Sequence, residues 1–87
     1  MEVGQIVFSK CGRDKGRAFA VLSVEGEYVF LADGQLRPLN KPKKKKARHT
    51  QPTHTVVDFA ASAATGKLTD ADIRRCLSPF NARDIVN

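Results

Sequence analysis

GQIVFSKCGRDKGRAFAVLSV, residues 4 to 24, consists of two apolar runs joined by a charged loop. The runs 5–9 and 18–24 are rich in β-branched and aromatic residues, a composition typical of half-buried or fully buried strands. Within the loop, Gly12 and Gly16 are expected to adopt the positive φ angles of a tight connection. A strand pair that presents such a cationic loop can hold a polyanion, although many surface hairpins carry lysine and glycine only for solubility. We call residues 10–17 the glycine loop.

The length of the chain predicts one small domain, because 87 residues bury only a modest core. Met1 and Glu2 lead directly into a strand-like run, without the basic head and apolar segment of a secretory signal. No apolar stretch approaches the roughly 20 residues that cross a bilayer. We therefore expect a soluble, cytoplasmic protein with no membrane partner.

Few residues have the pattern of a catalytic or metal site. Cys11 and Cys76 belong to no CxxC or Cys/His spacing, and His49 and His54 complete no ligand set. Reduced thiols are expected, since a bridge between them requires the tail to fold back on the glycine loop. The sequence has no nucleophile elbow, phosphate-binding loop or pair of carboxylates in an apolar setting. It predicts a protein that is not an enzyme and has no cofactor, metal or small-molecule substrate.

The basic surplus is concentrated in one short segment. The chain has a net charge of +6, yet residues 1–36 carry four Lys/Arg and five Asp/Glu, and residues 50–87 carry four of each. The intervening residues 37–49 carry seven basic residues and no acidic ones. A surplus this concentrated indicates an interaction surface rather than a general solubilising coat.

The first half of the chain predicts short strands joined by tight turns. Asp33-Gly34 is the strongest short-range hairpin signal in the sequence. Strands are expected at 3–9, 18–24, 28–32, 35–39 and 47–51, which is the spacing of a small antiparallel barrel. Its predicted core comprises Ile6, Phe8, Phe19, Val21, Val29 or Tyr28, Leu31, Leu36 and Leu39.

The second half is helical in character. Thr55 with Asp58, and Thr69 with Asp72, resemble capping boxes in which Asp replaces the usual Glu. They predict helices over 56–64 and 70–77, and a cap with a first-turn proline predicts a further short piece over 80–85. We expect residues 53–87 to form a helical extension that packs weakly on the barrel of residues 1–52, is partly disordered, or docks elsewhere.

The segment 40–48, NKPKKKKAR, predicts an extended, solvated loop on the barrel, because four successive lysines repel one another unless an anion neutralises them. Its alternatives are a nuclear-import signal or a solvated linker. His49 beside it could contact a base or a phosphate, or simply face solvent at the edge of the barrel.

Two cationic elements on one small barrel favour RNA as the partner. Lysine dominates while arginine and aromatic residues are sparse, which favours contact with the phosphate backbone over base reading. Folded RNA, recognised largely by shape, suits such a surface. The candidate RNA-binding residues are Lys10, Arg13, Lys15, Arg17, Lys41, Lys43, Lys44, Lys45, Lys46, Arg48 and His49.

The glycine loop resembles the KOW motif, a strand-loop-strand unit of ribosomal proteins and transcription elongation factors. Gly12, Lys15 and Gly16 stand in the order GxxKG and are followed by an apolar strand. Together with ADGQLRPLNKPKKKKARH, residues 2–52 are similar to the L-fourteen-e group of large-subunit ribosomal proteins and their small bacterial relatives.

This resemblance implies an SH3-like barrel that binds RNA, ribosomal RNA in particular, with the loop at the contact surface. Gly12 and Gly16 then shape the loop, Lys15 contacts a phosphate, and Lys43 to Lys46 match the basic run of the group. The alanine-rich segment 56–64 departs from the charged helix of the bacterial relatives. The expected function is RNA binding in the ribosome, its assembly or translation; the alternative is an SH3-like protein-interaction module of the transcription machinery.

Overall fold

An antiparallel β-sheet forms most of the computed structural model, which describes residues 1–81. The strands are β1 (Gln5–Ser9), β2 (Ala18–Glu25), β3 (Tyr28–Ala32), β4 (Lys43–Lys46) and β5 (Thr50–Val56). A 3₁₀ helix (Ala47–His49) joins β4 to β5, and the helices α1 (Phe59–Ser62) and α2 (Asp70–Asn81) follow. The prediction of a mainly β fold with a helical C-terminal part is confirmed.

The sheet is open at one side. Its strand order is β4-β3-β2-β1-β5, and every neighbouring pair is antiparallel. Within the described residues β4 and β5 are therefore the two edges, so the backbone does not close into the complete barrel expected from the sequence. β2 and β3 form a hairpin, with Glu25 paired to Tyr28.

Both faces of the sheet bury apolar side chains. One face carries a cluster that consists only of strand residues, with Ala47 of the 3₁₀ helix packed against it: Val7, Phe19, Val21, Val29 and Leu31. The opposite face is covered by α2 and carries Ile6, Ala18 and Ala20. Successive apolar residues of β1 and β2 thus alternate between the two faces.

Most residues of the predicted core are buried or partly buried, but the prediction omitted Val7, Ala18 and Ala20. Phe8 and Leu39 are partly buried on the face that α2 covers, and Tyr28 is half-buried. Leu36, by contrast, is 62% exposed. It is exposed because the segment that carries it does not form a strand.

The expected fourth strand, residues 35–39, is absent because Asp33 holds the chain in a loop. The Asp33 carboxylate accepts hydrogen bonds from the backbone N–H groups of Gln35 (2.9 Å) and Arg37 (2.8 Å). The Asp33 N–H in turn donates to the carbonyl of Arg37 at 3.0 Å. These bonds use groups that a strand would need for its neighbours, so the chain turns here instead of pairing.

The lysine run is the fourth strand rather than a loop. Lys43 to Lys46 pair with β3, with Leu31 opposite Lys43 and Tyr28 opposite Lys46. An edge strand has a neighbour on one side only and is partly exposed, so it tolerates lysines while its backbone gains a partner. We call β4 the lysine strand.

β5 is longer than expected and continues through Pro52. The strand spans Thr50–Val56, so the predicted boundary between residues 52 and 53 falls inside it. Proline lacks an N–H group and is tolerated at a sheet edge, which is where β5 lies. Thr53 also ties β5 to β1, because its hydroxyl donates to the carbonyl of Ile6 at 2.8 Å.

The first helix begins later than predicted. Asp58, not Thr55, caps α1, because the Asp58 carboxylate accepts from the N–H groups of Ala60 and Ala61. Thr55 lies in β5 instead.

The capping box of the second helix is confirmed. The Thr69 N–H donates to Asp72 at 3.0 Å, and the Asp72 N–H donates to the Thr69 hydroxyl at 3.3 Å. The helix runs through Pro79 to Asn81 and does not end at 77. The rest of the piece predicted over 80–85 lies outside the described residues.

α2 is anchored firmly on the sheet. Ile73 and Leu77 are at most 1% exposed, and burial of such a side chain contributes about 1.5–3 kcal/mol. The Asn81 side chain accepts from the N–H of Ala18 at 3.0 Å, and the rings of Phe8 and Phe80 meet edge to face. Weak packing of this part of the tail was therefore a wrong expectation. Neither helix in residues 1–81 has the length and hydrophobicity needed to span a membrane.

Candidate nucleic-acid interface

The glycine loop turns twice by means of its two glycines. Gly12 has φ +81° and Gly16 has φ +86°, which confirms the predicted left-handed conformations. The Lys15 N–H donates to the Gly12 carbonyl at 3.2 Å, and the Gly16 N–H donates to the Ser9 carbonyl at 2.9 Å. The loop therefore has a defined backbone that fixes where its cations emerge.

Two ion pairs join the glycine loop to the loop that follows β3. Arg17 Nε lies 2.7 Å from Asp33 Oδ2, and Arg37 Nη2 lies 3.2 Å from Asp14 Oδ2. Each loop thus contributes one arginine and one carboxylate, and both carboxylates are largely buried. We call these four residues the clasp. It assigns Arg17, predicted as an RNA contact, a role in positioning the loop.

No local sequence pattern identifies the other three residues of the clasp. Asp33 was interpreted as a turn residue, and Asp14 and Arg37 were not candidates at all. Their partners are 16 and 23 positions away along the chain, which is beyond any local pattern.

The lysine strand reaches the other side of the glycine loop. Lys45 Nζ donates to the Cys11 carbonyl at 3.1 Å. A backbone bond of 2.8 Å from the Lys10 N–H to the His49 carbonyl adds the 3₁₀ helix to the same junction. The two cationic elements predicted from the sequence therefore lie side by side.

The four lysines of the lysine strand divide between the two faces of the sheet. Lys43 and Lys45 stand opposite the buried Leu31 and Val29, on the side where Lys45 contacts the glycine loop. Lys44 and Lys46 project from the other face, since successive side chains alternate. A run that is continuous in sequence is thus divided in space.

We group the cations of the glycine loop with those of the adjoining lysine strand and 3₁₀ helix and call this group the loop face. Lys10, Arg13, Lys15 and Arg48 are exposed, and Lys43 and Lys45 are half-buried beside them. Lys41 is exposed ahead of the lysine strand, and His49 is half-buried. The loop face comprises Lys10, Arg13, Lys15, Lys43, Lys45 and Arg48.

A cleft of about 230 Å³ lies between the clasp and α2. Its polar lining already has partners within the protein: Arg17 pairs with Asp33, and Arg74 Nη1 donates to the Gly34 carbonyl at 2.6 Å. Leu77 contributes an apolar wall. These internal bonds make the cleft part of the packing between α2 and the sheet.

Other chemistry is sparse in the part of the chain that the structure describes. Cys11 is exposed, Cys76 is half-buried, and both thiols are free. Residues 1–81 contain no cluster of three or more His, Cys, Asp or Glu side chains that could hold a metal ion. No protein-family model matches this sequence, and no curated protein matches it either.

Proposed function

We propose that the protein is a non-enzymatic, cytoplasmic RNA-binding module. It contacts structured RNA, ribosomal RNA in particular, through phosphates and acts in the ribosome, its assembly or translation. The observation that carries the proposal is the contact between Lys45 and the Cys11 carbonyl, because it brings the glycine loop and the lysine strand to one surface.

The finer fold assignment belongs to this proposal. We propose an SH3-like KOW fold whose barrel stays open between β4 and β5. Support comes from the strand order and from a GxxKG loop with left-handed glycines. It also comes from the face of the sheet on which strand residues pack against one another. The 3₁₀ helix between β4 and β5 supports it further, since it carries the chain from one edge of the sheet to the other.

The electrostatics of the loop face suit a phosphate backbone. Lysine and arginine neutralise phosphates and release counterions, which gives affinity without sequence information. The clasp holds the backbone of the glycine loop, so that Arg13 and Lys15 emerge from a fixed frame. A rigid frame of cations fits structured RNA better than a flexible polycationic tail does.

Crosslinking in cells, followed by sequencing of the attached RNA, tests the proposal. Ribosomal RNA should be enriched, with crosslinks confined to a few sites. A variant with Lys43 to Lys46 replaced by glutamine, expressed at the same level, should lose most of the signal. Crosslinks spread over all RNA in proportion to abundance, or equal signal from the variant, would refute it.

One feature favours the alternative, a protein-interaction module of the transcription machinery. Within residues 1–81 the outer edge of the lysine strand has no partner strand, and the alternation of antiparallel bonds directs the backbone groups of Lys44 and Lys46 away from β3. An acidic extended peptide could pair there. Partner capture that survives RNase, together with no affinity for ribosomal RNA, would favour this function over the first.

A further inference from the structure

We infer that Tyr28 and the lysines beside it form a second contact for RNA, a stacking site for an unpaired nucleobase. This inference rests on the proposed RNA-binding function and specifies the kind of RNA that is bound. It concerns the face of the sheet opposite the loop face.

The site lies beside the part of the sheet on which α2 packs. α2 packs on Ile6, Ala18 and Ala20 of β1 and β2, whereas Tyr28 and Phe30 on β3 belong to neither buried cluster. Both rings are half-buried. They stand two residues apart, so they project from the same face of the strand.

Two lysines flank these rings. Tyr28 is paired with Lys46 and Phe30 with Lys44, so all four side chains share one face. Lys44 Nζ lies 4.6 Å from the centroid of the Tyr28 ring. An aromatic ring bordered by cations matches a nucleotide, whose base is planar and whose phosphate is negative.

A base can displace the ammonium group from the ring. Stacking of a base on an aromatic side chain is stronger than a cation–π contact at an exposed site. The displaced Lys44 side chain then reaches the phosphate of the same nucleotide, where its charge is better compensated. The lysine contact therefore marks the position of the base without blocking it.

The lysine strand connects the two contacts. It forms the edge of the sheet, and its lysines alternate between the loop face and the face that carries Tyr28. An RNA held by its phosphates on the loop face can pass a nucleotide across this edge to Tyr28. A paired base cannot make this contact, because it is stacked inside its own duplex. The occupant is thus a loop or bulge nucleotide next to a helix.

The tyrosine itself provides the test, because the chain has one tyrosine and no tryptophan. Intrinsic fluorescence excited at the tyrosine therefore reports on Tyr28 alone. We expect quenching when the protein binds an RNA hairpin with an unpaired loop, and none with a blunt duplex of equal charge. Equal quenching by both, or quenching by neither while both bind, would overturn the inference and leave the proposed function standing. If the protein binds neither the hairpin nor the duplex, the inference and the proposed function are both refuted.

Variants give a second measurement. Tyr28→Leu should weaken binding of the hairpin by about 5- to 100-fold and leave binding of the duplex unchanged. Tyr28→Phe keeps the ring and should bind the hairpin like the wild type. Equal weakening of hairpin and duplex by Tyr28→Leu would contradict a stacking role. Melting curves of both variants show whether the sheet remains folded.

Discussion

Arg13 and Arg17 belong to the same loop but differ in their surroundings. Arg13 is exposed, while the Arg17 guanidinium pairs with Asp33, whose side chain is fully buried. A buried carboxylate that loses its charged partner is costly, whereas an exposed cation can be removed with little effect on folding. Two arginines that look equivalent in the sequence therefore differ in role: Arg17 positions the loop, and Arg13 is exposed for the proposed RNA contact.

The same substitution at the two positions tests this difference. Arg17→Gln should lower the free energy of unfolding by about 1–3 kcal/mol, because Asp33 loses a charged hydrogen-bond donor. Arg13→Gln should change it by less than about 0.5 kcal/mol yet weaken RNA binding. Urea unfolding and RNA titration of both variants provide the comparison. Equal stability of the two variants would show that the clasp does not hold the loop.

Asp72 makes the stability of the protein depend on pH. The hydrogen bond from Arg75, followed by that from the Thr69 N–H, lowers the pKa of the Asp72 carboxyl to about 2. In the unfolded chain the pKa of an aspartate is about 3.9. The folded state therefore binds this proton less readily, so the stabilisation is present above about pH 4 and is lost as the pH falls towards about 2.

Asp72→Asn removes this pH dependence. Wild-type protein should lose more stability than the variant between about pH 4 and pH 2, while the variant should be less stable at neutral pH. Thermal melts across this range measure the difference. Parallel stability curves for the two proteins would contradict the role assigned to Asp72.

At the scale of elements, Gly34 is one of the points where the loop after β3 contacts α2. Gly34 has φ +78°, and a Cβ atom placed there would lie 2.3 Å from the Asp70 carbonyl oxygen. Gly16 has a similar φ, but its Cβ would have nothing within 4 Å. Both glycines have the left-handed backbone conformation, which a side chain would strain. They differ in how closely neighbouring atoms approach an added Cβ atom.

Gly34→Ala and Gly16→Ala therefore form a matched pair. Gly16→Ala should cost about 1–2 kcal/mol for the left-handed conformation alone. Gly34→Ala should cost clearly more, because the start of α2 must also shift. Urea unfolding of both variants measures the difference in the free energy of unfolding. Equal losses would mean that the contact between Gly34 and α2 is loose.

The division of the lysine strand leads to another matched comparison. The double variants Lys43→Gln/Lys45→Gln and Lys44→Gln/Lys46→Gln remove the same charge from opposite faces. On a fully paired RNA, the first should weaken binding more, because its lysines lie on the loop face. Titrations at one fixed salt concentration decide this. Equal losses would mean that total charge alone governs binding.

Local signals in the sequence predicted a good part of these elements. The first three strands follow from alternating apolar residues, and the start of α2 follows from Thr69 and Asp72. The fourth strand was misplaced. The Asp33 carboxylate accepts hydrogen bonds from N–H groups that follow it, and the lysines pair with β3, which is distant in sequence. The end of β5 was misplaced too, because an edge position tolerates Pro52.

The candidate site was predictable in its residues but not in its arrangement. The cations were identified from composition and from the resemblance to the KOW motif. The glycine loop and the lysine strand are brought together by a contact between Cys11 and Lys45, which are 34 positions apart. The clasp and the two faces of the lysine strand depend on strand register, which no short pattern contains.

At the scale of the whole molecule, the surplus charge and the folded frame come from different parts of the chain. Residues 37–49 supply the surplus charge, while the first three strands and the clasp supply a frame of nearly neutral composition. α2 stabilises this frame from the opposite side of the sheet. We propose that RNA binds to the loop face of this frame by phosphate contacts.

The salt dependence of RNA affinity tests that claim most directly. If about six cations of the loop face meet phosphates of a duplex region, a plot of log affinity against log salt should have a slope of about −5.5. The variant with Lys43 to Lys46 replaced by glutamine loses two of these contacts, so its slope should flatten to about −3.5. Its melting temperature should stay near that of the wild type. A slope that the four substitutions leave unchanged, or no binding of structured RNA by the wild-type protein, would contradict the account.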